Sequence, residues 1–159
     1  MMPWEPTRDI MRRTMVNLEF IERHATERDG PYEVTQLINS FMGALAHPWE
    51  TYRSELSSMP LSLAESWPSL SKEQPGDVEP ESLGDALRLL RNGIAHGNIQ
   101  FLPGQNGAIQ SLRIWNMDRG RRTWGTIISV ADLRRFLKEF AALAESLADQ
   151  KIQAREQSA

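Results

Sequence analysis

Four stretches of this chain repeat their apolar residues at helical spacing, and one stretch between the third and the fourth repeats them at spacing two. That single change of period constrains the fold more than any other feature, because each helical stripe needs a partner to bury it and the alternating stretch can only be sheet. The first stripe holds Met11, Met15, Leu18 and Ala25, with Ile21 flanking, and Thr7 after Pro6 is the expected N-cap. Arg8, Arg12, Arg13, Glu19, Glu22, Arg23 and Glu27 form its opposite, solvated face. Asp29-Gly30 should stop this helix and Pro31 restart the next.

The second stripe is wide, with Val34, Leu37, Ile38, Phe41, Met42 and Leu45. Pro48 lacks a donor and should kink the helix, yet Trp49 and Tyr52 continue the pattern to about Arg53. Periodicity then fades over residues 54–80, a long proline- and serine-rich connection. Within it Leu61 to Trp67 suggests a short helix with Leu63 and Trp67 touching the core, and Ser71 to Glu79 reads as mobile.

The third helix is expected from about Glu81, with Leu83, Leu87, Leu90 and Ile94 buried, and Gly97-Asn98 supplies a left-handed terminus. Residues 98–129 then alternate: Ile99 and Phe101, Leu112 and Ile114, and Trp124 to Ser129 read as three strands. Pro103 to Gly107 and Asp118 to Gly120 are the turns between them. Ser129 caps a last helix whose seam is Val130, Leu133, Leu137, Phe140, Ala144 and Leu147, and residues 150–159 read as a frayed tail. The whole describes one domain over residues 1–159, a helical bundle with a β insert.

Composition narrows the chemistry. The chain has no cysteine, so disulfides, thiolate zinc sites and cysteine nucleophiles are excluded, and a cytoplasmic location is expected. Met1 to Pro6 is neither basic nor followed by an apolar core, as a secretory signal would be, and no apolar run suits a membrane span. The net charge of -3 means that a polyanionic partner would need a local basic patch. No carboxylate–histidine cluster has metal-ligand spacing, so neither a metal nor another cofactor is expected.

The polar face of the third helix is where chemistry can lie. Asn92 and His96 are one turn apart and point away from the apolar stripe, with Arg88 beside them and Gly84 and Ala95 along one edge. Small residues there would let another backbone come close. Arg91 and His96 are five positions apart, roughly 140° around a helix. They can share a target only if the helix unwinds after Arg91, if long side chains curl round, or if a second copy of the chain supplies one of them. Read from spacing alone, Asn92 and His96 are open to a plainer role as helix-end caps. The arginines of the meander, Arg113, Arg119, Arg121 and Arg122, flanked by Trp115 and Trp124 and followed by Arg134, Arg135 and Lys138, are equally open. They form either a solvated surface or a patch that holds phosphates and stacks on bases.

Arg91-Asn92-Gly93-Ile94-Ala95-His96 resembles the motif of the HEPN superfamily, an arginine followed after four to six residues by a histidine. Residues Gly30 to Asn39 and Leu112 to Asn116 are similar to a plasmid-associated HEPN family of small stand-alone proteins. The resemblance implies an up-and-down four-helix bundle that forms a homodimer through the motif helices. It also implies a metal-independent RNA endonuclease of the kind found in toxin–antitoxin and defence systems, or a relative that has lost activity and only binds a nucleotide or protein. In the active case Arg91, Asn92 and His96 are catalytic, Arg88, Arg113, Arg119, Arg121 and Arg122 hold RNA, and an antitoxin is an expected partner.

Overall fold

The computed structural model describes residues 5–26, 30, 32–105 and 107–159. The expected stop at Asp29, the restart at Pro31 and Asn106 of the first turn lie outside them. The chain is mainly helical, with a three-stranded antiparallel sheet before the last helix. It divides into two compact units, residues 1–52 with 137–159, and residues 53–136. No helix among the described residues is long and apolar enough to cross a membrane.

The first unit holds α1 (Pro6–His24), α2 (Glu33–Phe41), α3 (His47–Thr51) and the greater part of α6 (Val130–Gln157). The N-cap of α1 lies two residues earlier than expected. Glu5, not Thr7, is the N-cap, its carboxylate accepting from Arg8 N at 2.7 Å, and Pro6 takes the first helical position that its fixed φ suits. Met11 and Leu18 are buried as the stripe requires. Between α2 and α3 the chain forms a π-turn over Met42–Ala46, closed by His47 N donating to Met42 O. Pro48 is therefore accommodated without ending the run, and Trp49 and Tyr52 remain buried. Beyond Asp149 the tail does not fray at once. α6 continues to Gln157, and Lys151 stands over the Tyr52 ring, 5.1 Å from its centroid, while donating to Thr51 O at 3.3 Å.

The second unit holds α4 (Arg53–Ser57), a 3₁₀ turn at Leu61–Ala64, α5 (Leu83–Ala95), the sheet and the start of α6. β1 (Ile99–Pro103), β2 (Ile109–Asp118) and β3 (Arg121–Ser129) pair in sequence order. Leu112, Ile114, Trp124 and Ile128 are buried with Leu83, Leu87, Leu90 and Ile94 of α5. Ser129 Oγ accepts from Asp132 N at 3.0 Å and starts α6 as its sequence suggests. Leu63, expected in the core, is exposed, because the turn that carries it is a short 3₁₀ piece rather than an amphipathic helix. Trp67 meets Phe136 edge-on at 5.4 Å.

The largest departure concerns Ser71 to Glu79. Instead of moving free of the sheet, this segment is bonded along the outer edge of β3. Lys72 bridges Thr126, Glu73 N donates to Gly125 O at 2.8 Å, and Val78 N donates to Thr123 O at 2.9 Å. Side chains tighten the attachment. Arg122 Nη2 donates to Glu73 at 2.9 Å and to Asp77 at 3.0 Å, while Arg113 Nε donates to Glu73 at 2.6 Å. Burial alone would raise both carboxyls. The bonds and charges of Arg122 and Arg113 on Glu73, and of Arg122 and the Gln74 backbone on Asp77, outweigh it, so both titrate below their ordinary values.

A carboxyl whose folded value lies below its unfolded value stabilises fully above the unfolded value, and that share is lost as pH falls through the folded one. Arg122→Gln is therefore expected to cost about 3 kcal/mol in urea unfolding at neutral pH, since it strands a buried carboxylate. The gap to wild type should narrow steadily below about pH 4.5. A gap that stays constant down to acid pH would mean that these carboxylates carry no such load.

Candidate functional site

α5 is set at both ends by local bonds. Ser82 Oγ accepts from Asp85 N at 3.0 Å, and Asp85 Oδ2 accepts in return from Glu81 N at 3.2 Å, a reciprocal cap of the first turn. At the other end Gly97 has φ +70°, Gly97 N donates to Ile94 O at 3.1 Å and Asn98 N donates to Gly93 O at 2.8 Å. These two bonds are a Schellman terminus, the left-handed stop that Gly97-Asn98 implied. His96 is the last residue before it, with φ -92° and ψ 5°.

The helix is intact from Leu83 to Ala95, so it does not unwind after Arg91. Of the three ways to bring Arg91 and His96 to one target, side-chain reach and a second copy remain. Arg88, Arg91 and Asn92 are half-buried and Ala95 and His96 are exposed, so the polar face is open to solvent at its C-terminal end. Arg91 Nη1 donates to Asn92 Oδ1 at 2.9 Å, which ties the guanidinium and the amide into one group. Arg88 is turned toward the helix start, donating to Asp85 Oδ1 from Nη2 at 2.7 Å and from Nε at 3.1 Å.

Two glycines on this helix answer to neighbours within the same unit. A Cβ on Gly84 would stand 2.8 Å from the backbone of Leu56 and Ser57, so the close approach inferred from its small size is made by α4. A Cβ on Gly93 would stand 2.7 Å from Ile114 Cγ2 and 2.8 Å from Trp115 O. Gly93 thus lets the motif end of α5 lie directly on β2.

The expected phosphate-binding arginines divide into two pairs. Arg119 and Arg121 are exposed at the β2–β3 turn, where Arg119 itself has φ 48° beside Gly120. Arg113 and Arg122 lie on the outer sheet face and are ion-paired with Glu73 and Asp77, and Arg113 also donates to Gln100 Oε1 at 2.6 Å. Their charge is largely compensated within the fold. Of the two tryptophans, Trp115 is half-buried, but Trp124 is fully buried and cannot stack on a base at the surface. Its burial follows the two-residue rhythm of β3, in phase with Thr126 and Ile128, and Gly125 between them is covered by the Arg122 side chain. Glu73 and Asp77, flanking a Pro75-Gly76 turn, were missed. The turn dipeptide was their only local signal. Arg134 is half-buried, while Arg135 and Lys138 are exposed.

A family model described as HEPN pEK499 p136 matches residues 2–151 of the chain. No curated protein and no solved structure matches it.

Gly93→Ala should be destabilising by about 1–3 kcal/mol in thermal or urea unfolding, because the added methyl meets backbone in β2. This is opposite to the gain of about 1 kcal/mol that alanine brings to an unhindered helix. A stabilised variant would show that α5 and β2 are not held at this separation.

Proposed function

Since the chain belongs to the HEPN pEK499 p136 family, we propose that it is a metal-independent RNA endonuclease, built on the up-and-down four-helix bundle of that superfamily and active as a homodimer through the Arg91–His96 helix. The observation that carries the reading is the grouping at the end of α5. An exposed histidine follows one turn after an asparagine that is bonded to the neighbouring arginine.

RNA brings its own nucleophile, the 2′-hydroxyl. His96 removes that proton as the oxygen attacks phosphorus. The P–O5′ bond breaks, and the departing oxygen takes a proton from an acid, for which His96 of a second copy is the candidate. The products are a 2′,3′-cyclic phosphate and a 5′-hydroxyl. Arg91 binds the scissile phosphate and offsets the charge that grows on it, and Asn92 holds the guanidinium in place. Arg119 and Arg121 supply the accessible positive charge for the flanking backbone, with Arg88, Arg113 and Arg122 contributing if their carboxylate partners release them. A role as the toxin of a toxin–antitoxin pair, or as an effector in phage or plasmid defence, fits such an activity, and an antitoxin would then cover this helix end.

A second reading is a non-catalytic module that binds a nucleotide or protein. It is favoured by the half-burial of Arg91, whose guanidinium is already held within the chain.

His96→Ala and Arg91→Ala are each expected to lower RNA cleavage by about 10²–10⁴-fold with the dimer retained in sedimentation. The wild type should work equally well in EDTA and leave cyclic-phosphate ends. A wild type that cuts no RNA under either condition, or a His96→Ala protein that cuts normally, would sink the nuclease reading. Growth arrest on expression, relieved by either substitution, is the expected sign of a toxin.

A further inference from the structure

The sheet of the second unit has two outer edges, and only one is covered. Along β3 the segment from Lys72 to Val78 bonds to the strand, with Glu73 N on Gly125 O at 2.8 Å and Val78 N on Thr123 O at 2.9 Å. β1 is the other edge strand, since the order is β1-β2-β3. Trp115 N donates to Asn98 O at 3.1 Å, and Ile99 is opposite Ile114 with Gln100 opposite Arg113. Bonded residues alternate in an antiparallel pair, so Asn98 and Gln100 bond to β2 while the N–H and C=O of Ile99 and Phe101 point off the sheet. Among the described residues, no backbone group meets them there.

An open edge is a template for another strand, and folds guard one with charge, an internal proline or a bulge. β1 has none of these over Ile99-Gln100-Phe101-Leu102, and its irregularity comes only between Leu102 and Pro103. Phe101 is opposite Leu112 and shares its face. Leu112 is 0% exposed, yet Phe101 is 47% exposed. What Leu112 has and Phe101 lacks is a strand on each side.

We propose that β1 pairs antiparallel with β1 of a second copy of this chain, about a two-fold axis at Gln100, joining the two sheets into one. The register follows from the free groups. Ile99 of one copy stands opposite Phe101 of the other, and each such pair exchanges both of its main-chain bonds. The same match sets isoleucine beside phenylalanine on both sides of the axis, an aliphatic–aromatic cross-strand pair. A second copy is the occupant because the edge is self-complementary. Its own donors, acceptors and apolar side chains satisfy one another across the axis. Gln100 meets Gln100 there. Arg113, which donates to Gln100 Oε1 at 2.6 Å, brings little net charge, since Arg113 and Arg122 are balanced by Glu73 and Asp77. Pro103, which lacks a donor, ends the ladder. The interface uses no residue of the α5 motif and is independent of whether the chain cuts RNA.

The test uses the full chain, which has no cysteine, so one introduced thiol reports alone. Residues facing each other in a non-bonded antiparallel pair have Cα atoms about 4.5 Å apart, within the span of a disulfide. Under mild oxidation Gln100→Cys should form a linked dimer at least tenfold faster than Gln105→Cys, which is in the β1–β2 turn away from the axis. Phe101→Pro removes a donor that bonds nothing within its own chain, a change that an edge strand tolerates. It should lower the sedimenting mass at least twofold, whether or not copies also meet through α5, and speed amide exchange at Ile99 at least tenfold. Equal linking at the two positions overturns the proposal, as does a Phe101→Pro protein that sediments like the wild type. So does a wild type whose Ile99 and Phe101 amides exchange freely, which would leave β1 open to a strand of some other protein. Should Phe101→Pro fail to fold, the cross-link and the wild-type exchange decide the matter alone.

Discussion

The second unit depends on how near α5 can come to its neighbours. At Gly93 the helix meets β2, and at Gly84 it meets the backbone of α4, in both cases at a distance that leaves no room for a methyl group. Close packing of this kind transmits position, because a densely packed interior moves as a piece. The end of α5 that carries Arg91, Asn92 and His96 is therefore placed by the sheet. Its direction is then ended by the Schellman bonds of Gly97 and Asn98. A functional group on such a support is held more precisely than one on a loop.

Much of this was legible in the amino-acid order, for identifiable reasons. The strands, the last helix with its Ser129 cap, and the left-handed stop at Gly97 are all written in short-range signals: a period, a hydroxyl before an apolar run, a glycine followed by asparagine. The candidate site residues stand out in the sequence for the same reason, since Arg91, Asn92 and His96 sit within six positions. What could not be read was non-local. The attachment of Ser71 to Glu79 rests on backbone bonds to an edge strand and on ion pairs between residues forty to forty-nine positions apart. Neither leaves a periodic trace. A glycine inside a helix costs about 1 kcal/mol relative to alanine, which points to a need for room at Gly93, but only the fold shows that β2 occupies it.

The arginines of the sheet show how charge in a sequence differs from charge on a surface. Four of them fall within ten positions, and a count suggests a basic patch. Two are spent on Glu73 and Asp77, where they secure a segment that composition marked as loose. Electrostatic attraction acts through charge that remains uncompensated, and of these four arginines Arg119 and Arg121 at the β2–β3 turn are the exposed ones.

The π-turn before Pro48 does more than tolerate a proline. Leu37, Phe41, Leu45 and Trp49 are buried at steps of four. At about 100° per residue, three such steps carry a regular α-helix roughly 120° past its starting direction. Trp49 would then swing toward the side of the helix that meets water. A turn closed from i to i+5 takes up one residue more, worth about 100°, and nearly cancels that drift. The widened turn thus works as a phase corrector, keeping a four-residue rhythm on a single face. The twelve steps from Leu37 to Trp49 thus wind as eleven would in a regular helix, and it is regular winding with all twelve residues kept that would turn the indole outward.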